Sequence, residues 1–496
     1  MNKPISMFSP ERADPNQPIV SRKQWLFWLG ALFIAGCLLL VLETQNLLVV
    51  LGGALMLFLT FLTYVAPAKM MLFAIIFSTF IPTEWGIKLG SFPLVGPVRV
   101  LLLCFLLGLL FRIIVRRRVS YALSRLPLKG PFLFSLFAAL ISTLLSIDPV
   151  RSILSTVNNP LTHLAFFILS YQCCQQPGFW KLSKRVLLWT AFAVCMIAFF
   201  EEATHFSLIA SVYPEEEPSF RMGLLRVRST FFHPIALGCF LDLVFPIALA
   251  EWLLCKRITK KIVLSLLLFF MALSLFLTLS RFPWLILFIE LSVFSIWWAR
   301  NAFHRKVILA FALTLGLVLA TSGLLLFRGS LNSSNELNPF GKVEGTKADE
   351  ASSEYYRFAL ARAVWEKLDG PRWLLGYGPG TFHIANVESQ YAGHEHLLVA
   401  ADSHYLKVLL ETGFLGGLAF LILIGIAISS CMRGAFRLEE SKQVWAVACL
   451  AGVIGFVLNN ITASMYLLHP LPFIFWLEVA LVLAMRIRRA NEDTII

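Results

Sequence analysis

Apolar stretches of about twenty residues, the length an α-helix needs to cross a ~30 Å hydrocarbon core, recur from one end of this chain to the other. In lipid every backbone amide needs a partner inside the protein, so such runs become helices packed side by side. The expected fold is all-α, a polytopic transmembrane helical bundle of about fourteen spans. They cover 24–43, 47–66, 70–83, 97–115, 131–147, 161–174, 186–200, 232–255, 262–279, 283–299, 306–327, 404–430, 444–467 and 470–487. Composition agrees: 58% of residues are hydrophobic and only 14% are charged, against about 25% charged in an ordinary soluble domain. The polar start, "MNKPISMFSPERADPNQPIVSRKQ", lacks the apolar core and cleavage site of a removable signal peptide, so the first span is expected to be an uncleaved anchor.

A net charge of +13 would suggest nucleic acid in a soluble chain; here its distribution marks the cytoplasmic side, and no nucleic-acid partner is expected. Lys and Arg concentrate in six connectors: 112–129, 181–185, 256–261, 299–306, 433–442 and 486–489. With fourteen spans all six fall on one side together with the N-terminus. Both termini are therefore expected in the cytoplasm, as tails 1–23 and 488–496. Between them lie spans over 24–327, a large periplasmic loop at 328–402 with short helices, and three further spans over 403–487. None of the nine cysteines falls in either long outer connector, which argues against a disulfide framework.

The outer side breaks the charge rule. Connector 201–231 holds Arg221, Arg226 and Arg228, the turn 280–282 holds Arg281, and connector 328–402 holds Arg328, Arg357, Arg362 and Arg372. Arg281 stands in "LTLSRFPWLIL", where burial in hydrocarbon would cost at least about 2.5–3.5 kcal/mol. At the outer interface its head can instead reach a polar cavity between helices. Acidic neighbours such as "PEEEP" (214–218) are one possible set of partners for these arginines. An anionic ligand is the other, and guanidinium is the side chain best suited to gripping phosphate with two parallel bonds.

Three stretches go beyond composition: "RVRSTFFHPIALGCFL" (226–241), "LTLSRFPW" (277–284), and "YYRFALARAVWEKLDGPRWLLGYGPGTF" (355–382) followed by "ADSHYLKVLLETGFLGGLAFL" (401–421). In order and spacing they resemble the O-antigen ligase and polymerase superfamily of bacterial envelope glycosyltransferases, over roughly residues 220–430. The resemblance implies an inner-membrane enzyme that needs no cofactor or metal. Its donor would be a glycan on a polyprenyl diphosphate, and its acceptor a hydroxyl of another glycan or of lipid A–core. Polymerase and ligase both remain open. It also implies that Arg228 and Arg281 bind the diphosphate, with Arg226, Arg357 and Arg362 as further contacts. Arg357 and Arg362, five residues apart on an expected helix over 352–368, point about 140° apart, so a solvated helix face suits Arg362 equally well.

The family base is less direct. Where ligases read "HN-x-YL", this chain reads "DSHYL", placing Asp402 at the histidine position and His404 two residues on, about 200° round a helix. Either Asp402 replaces the base, or His404 takes the role on non-helical backbone, or Asp402 or Ser403 simply caps the following helix. His233, before Pro234, is expected to line the cavity or to pack at a helix start. "GYGPG" (376–380) reads as a tight turn, "ETGFLGG" (411–417) as close helix packing, and Arg99 and Arg151 as interfacial side chains. The rival function is a transporter or flippase of an anionic solute or lipid-linked sugar, but no internal repeat or matched pair of broken helices accompanies it.

Overall fold

The structure, a computed structural model, describes residues 47–81, 96–115, 126–212, 220–221, 224–298, 360–385, 387–391, 394–398 and 402–493. The expected spans 24–43 and 306–327 lie outside the described residues, as do the expected N-terminal tail, the last three residues of the C-terminal one and the first part of the 328–402 loop. The other twelve expected spans are all helical. They are α1 Leu47–Val65, α2 Pro67–Phe80, α3 Pro97–Val115, α4 Lys129–Leu144, α5 Pro149–Thr156 leading into α6 Thr162–Cys174, and α7 Phe179–Thr204. After them come α8 Pro234–Leu254, α9 Ile258–Leu277, α10 Arg281–Trp298, α11 His404–Arg437, α12 Glu440–Thr462 and α13 Leu471–Asp493. Among the described residues seven helices are long and apolar enough to cross a membrane. This is an all-α membrane protein with two small hairpins.

Two boundaries differ from expectation for clear reasons. Pro160, which has no N–H to donate, marks the start of a span in sequence but does not break the helix. The chain widens into a π-turn over Val157–Leu161, Thr162 Oγ1 donates to Val157 O at 2.8 Å, and α5–α6 runs on as one rod from Pro149. Helix α7 likewise absorbs the basic stretch 181–185. Lysine and arginine are good helix formers, and their long stems carry the charge to the interface.

The spans α8 and α12 are 72% and 78% buried, whereas α9 and α10 are 28% buried. Helices α8 and α12 are thus the centre, and α9 and α10 form an outer wall. Lipid is as apolar as leucine, so van der Waals packing must hold these helices together. An aromatic core provides it: Trp476 and Phe473 of α13 are fully buried against Phe132 of α4 and Phe166 and Phe167 of α6, and Phe475 against Phe456 of α12.

The end of the 328–402 loop is a small structure of its own. Leu360, Ala363 and Val364 lie on one face of a helical stretch and pack with Leu368, Phe382, Val387 and Leu410 of α11. Two strands not foreseen in the sequence, β3 Val387–Tyr391 and β4 His394–Leu398, pair antiparallel with Val387 opposite Leu398. A shorter pair, β1 Phe220–Arg221 and β2 Leu224–Leu225, precedes the arginines of the other connector.

Candidate active site at one end of the bundle

The stretch from Thr278 to Arg281 is a tight corner between α9 and α10. Thr278 Oγ1 donates to Leu275 O at 2.8 Å and accepts from Ser280 N at 3.2 Å, while Leu279 takes φ +48°. The corner is stitched to the preceding connector. Val227 N donates to Leu277 O at 3.1 Å, and Arg226 donates from Nε to Thr278 O at 3.4 Å and from Nη2 to Ser280 Oγ at 3.2 Å. Arg281 is the first residue of α10 and is exposed. A cation at the positive end of a helix dipole is unfavourable unless an anion joins it.

Arg228 sits beside this corner and is 5% exposed. Its own N–H and that of Ser229 both donate to Glu201 Oε2 of α7, at 3.0 and 2.6 Å, and its Nε donates to Ser207 Oγ at 3.2 Å. Ser229, at φ +55°, ties its hydroxyl to Val194 O at 2.9 Å. The left-handed region is uncommon for a residue with a β-carbon, and such strain concentrates at functional sites. The chain then reaches His233, whose Nδ1 accepts from Ile235 N at 3.1 Å and caps α8, with Pro234 as the first helical residue. The His233 ring is exposed, yet it lies within electrostatic reach of both Arg226 and Arg228. Arg226 therefore ties the corner that precedes Arg281 to a connector whose Arg226 and Arg228 are within electrostatic reach of His233.

The second group lies at the start of α11. The structure makes Ser403 the cap residue, extended at φ −93° and ψ 127° and without a side-chain capping bond. Asp402 precedes it and is partly accessible. His404 opens the helix and points inward. It is 4% exposed, with its ring 5.1 Å from both Phe420 and Tyr466. Arg362 does not join either group: it is exposed and pairs with Glu366 at 2.7 Å, one turn along its own helix. Arg357 lies outside the described residues.

Glu411 is the hub that sequence reasoning missed. Its Oε1 accepts from Lys407 Nζ at 2.6 Å and from Phe382 N at 3.2 Å, and its backbone carbonyl accepts from Gly378 N and Ser142 Oγ, both at 2.8 Å. The turn at 376–380 thus docks on α11 and α4. The docking needs two glycines. Gly413, at φ +63°, breaks α11, and a β-carbon there would run into the backbone of Leu374 and Leu375; one on Gly376 would strike Glu411. Next to this turn Arg151 bonds His383 Nε2, which must accept and so be neutral. Burial first, then the Arg151 and Lys407 charges, lower the His383 pKa, against the opposing Glu411 and Asp148. The Lys407–Glu411 spacing of four in an apolar helix was the signal for the hub. For Glu201, which acts across 27 residues of chain, the sequence offered none.

Residues 266–421 match the family model for O-antigen ligase. Over that stretch, less than half of the chain, the sequence is similar to the O-antigen ligase family. No curated protein matches the chain. The matched stretch holds Arg281, Asp402, His404 and the Glu411 hub; Arg226, Arg228 and His233 lie before it, and Arg226 is bonded to it through Thr278 and Ser280. A multi-pass helical protein with this similarity has a membrane glycosyltransferase-like role in polysaccharide assembly. Among the described residues no group of three or more His, Cys, Asp or Glu side chains is spaced to hold a metal ion.

Proposed function

We propose that the protein transfers a glycan from a polyprenyl diphosphate carrier to an acceptor hydroxyl, at the outer face of the bacterial inner membrane and without a metal. The acceptor is either a second lipid-linked glycan, as in a polymerase, or lipid A–core, as in a ligase. The observation that carries this reading is that Arg226 is bonded to the corner at Thr278–Ser280, with Arg228 two residues on in the same connector and Arg281 next in the chain after Ser280. In the reaction the acceptor oxygen attacks the anomeric carbon, and the bond from that carbon to the diphosphate oxygen breaks. The electron pair leaves with the diphosphate, whose growing charge falls to the guanidinium groups. Such donors, fixed in place before the reaction, are worth about 2.7–4 kcal/mol each in acyl-transfer enzymes.

The hydroxyl proton goes to Asp402, the accessible member of the pair; His404, shut in by Phe420 and Tyr466, positions the start of α11. Both termini and the 256–261 connector face the cytoplasm in this reading. Membranes carrying single variants, at matched protein levels, test it through glycan chain length. Arg281→Lys should lose most activity although it keeps the charge, because an ammonium cannot make the paired bonds. Asp402→Asn should assemble little glycan and His404→Ala more. Wild-type assembly in Arg281→Lys would remove the diphosphate site, and an active Asp402→Asn beside a folded but dead His404→Ala would move the base.

A further inference from the structure

Away from that end, four membrane helices meet around three carboxylic acids. Asp242 of α8, Glu290 of α10 and Glu478 of α13 are 0%, 1% and 0% exposed. They face one stripe of α12, formed by Gly452, Gly455 and Asn459 at spacings of three and four residues. The glycines make room for them: a β-carbon on Gly452 would lie 2.8 Å from Glu478 Oε2, and one on Gly455 would collide with Glu290 Oε1. Asp242 is eight residues into α8 from Pro234, and Glu290 nine into α10 from Arg281. At 1.5 Å per residue both lie about 12–14 Å beneath the arginines, near the middle of a ~30 Å core.

The hydrogen-bond account of this cluster does not close. Asn459 Nδ2 donates to Asp242 Oδ2 at 2.9 Å. Asp242 Oδ1, both carboxyl oxygens of Glu290 and of Glu478, and Asn459 Oδ1 find no donor among the described residues. Six buried oxygens therefore wait for donors, in a medium where an unmet acceptor is costly and an unpaired charge far more so. Asn459 is the independent witness, since its uncharged amide has spent its donor on the cluster and left its own acceptor empty. Among the described residues the titratable groups next to the acids are thiols, Cys239 of α8, Cys449 of α12 and Cys431 of α11, which bring no positive charge; Arg486 of α13 acts on Cys431 and not on the acids. The acids are not spaced to hold a metal ion.

We propose that Asp242, Glu290 and Glu478, with Asn459, form an intramembrane proton-binding site whose protons exchange with water while the protein stays folded. Each proton taken up turns one unmet acceptor into a donor to its neighbour. Loss of one leaves an unpaired buried carboxylate, and loss of a second sets two carboxylates against each other across helices that the glycines pack closely. The site thereby ties proton occupancy to the packing of α8 and α10, the helices that begin at His233 and Arg281.

Infrared spectroscopy of the full protein in lipid at neutral pH tests this through the carbonyl stretch of protonated carboxyls. Wild type should show such bands, and they should shift on transfer to D2O without unfolding. Asp242→Asn, Glu290→Gln and Glu478→Gln should each delete one band. Loss of carboxylate bands only in the variants, or wild-type bands that never shift, would overturn the proposal. So would bands that disappear on adding sodium at constant pH, which would make sodium the ligand. The wild-type D2O measurement decides the matter even if a variant does not fold.

Discussion

Two buried glutamates on neighbouring helices serve the two ends of the bundle in different ways. Glu251, near the end of α8, accepts from Lys184 of α7 and Lys260 of α9, and Lys184 also lies 4.6 Å above the Trp445 ring. Its charge ties three helices together through side chains. Glu201, near the other end of α7, spends one oxygen on the backbone N–H groups of Arg228 and Ser229. It shapes a connector, and through that connector it aims a guanidinium. One carboxylate is a fastener; the other is a jig for a functional side chain. They should therefore fail in different assays.

The largest expected effect is at the jig. Glu201→Ala removes two charge-assisted bonds, each worth about 1.5–3 kcal/mol. If roughly half of that is felt in the transition state, glycan assembly falls about 100-fold, measured as chain assembly in membranes at matched protein levels. Undiminished assembly would erase the distinction between the two glutamates.

Gly413→Ala comes next. It forces a β-carbon into φ +63° and against the Leu374–Leu375 backbone, a strain of at least about 2 kcal/mol. Thermal unfolding in nanodiscs should shift down, and proteolysis within 376–382 should speed up as the turn undocks. Glu251→Gln is milder. Lys260 is half exposed, so solvent screening limits the loss to about 1 kcal/mol of stability; assembly should stay at the wild-type level.

The smallest effect is a pH dependence at the docked turn. His383 is neutral against Arg151, and its pKa is lowered by burial and by the neighbouring cations. Its folded pKa thus lies below the unfolded value of about 6.5. The contribution is complete above that value and is lost as pH falls through the window beneath it, where the unfolded chain binds the proton more readily. Between about pH 7.5 and 5.5, wild type should lose slightly more thermal stability than His383→Gln. Equal losses would mean that the Arg151 contact does not hold the turn.

The spans were legible in the sequence because hydropathy reads desolvation directly, and the Thr278–Arg281 corner was legible because a guanidinium has few tolerable places in a membrane. Hydropathy does not report which neighbour a face meets. Glu201 in "FFEEATHF" reads as an ordinary acid at a helix end, and Asp242, Glu290 and Glu478 disappear inside apolar averages. The span expected from 161 in fact continues a helix begun at Pro149, because the π-turn that carries Pro160 needs tertiary support that local sequence does not encode. The packing of Leu360, Ala363 and Val364 turns Arg362 outward. For Asp402 and His404 the helical angle was the wrong ruler, since α11 begins at His404 and extended backbone at Ser403 separates the two.

The most direct measurement uses purified protein in lipid with a polyprenyl-diphosphate-linked glycan as donor, a glycan or lipid A–core acceptor, and a chelator present throughout. Release of free polyprenyl diphosphate is followed over time. Wild type should release it in step with glycan transfer, and Arg228→Ala should release it at least about 100-fold more slowly, as expected for a donor aimed at the departing charge. Transfer that proceeds equally well in Arg228→Ala, or that stops when divalent ions are removed, would contradict an arginine-held diphosphate.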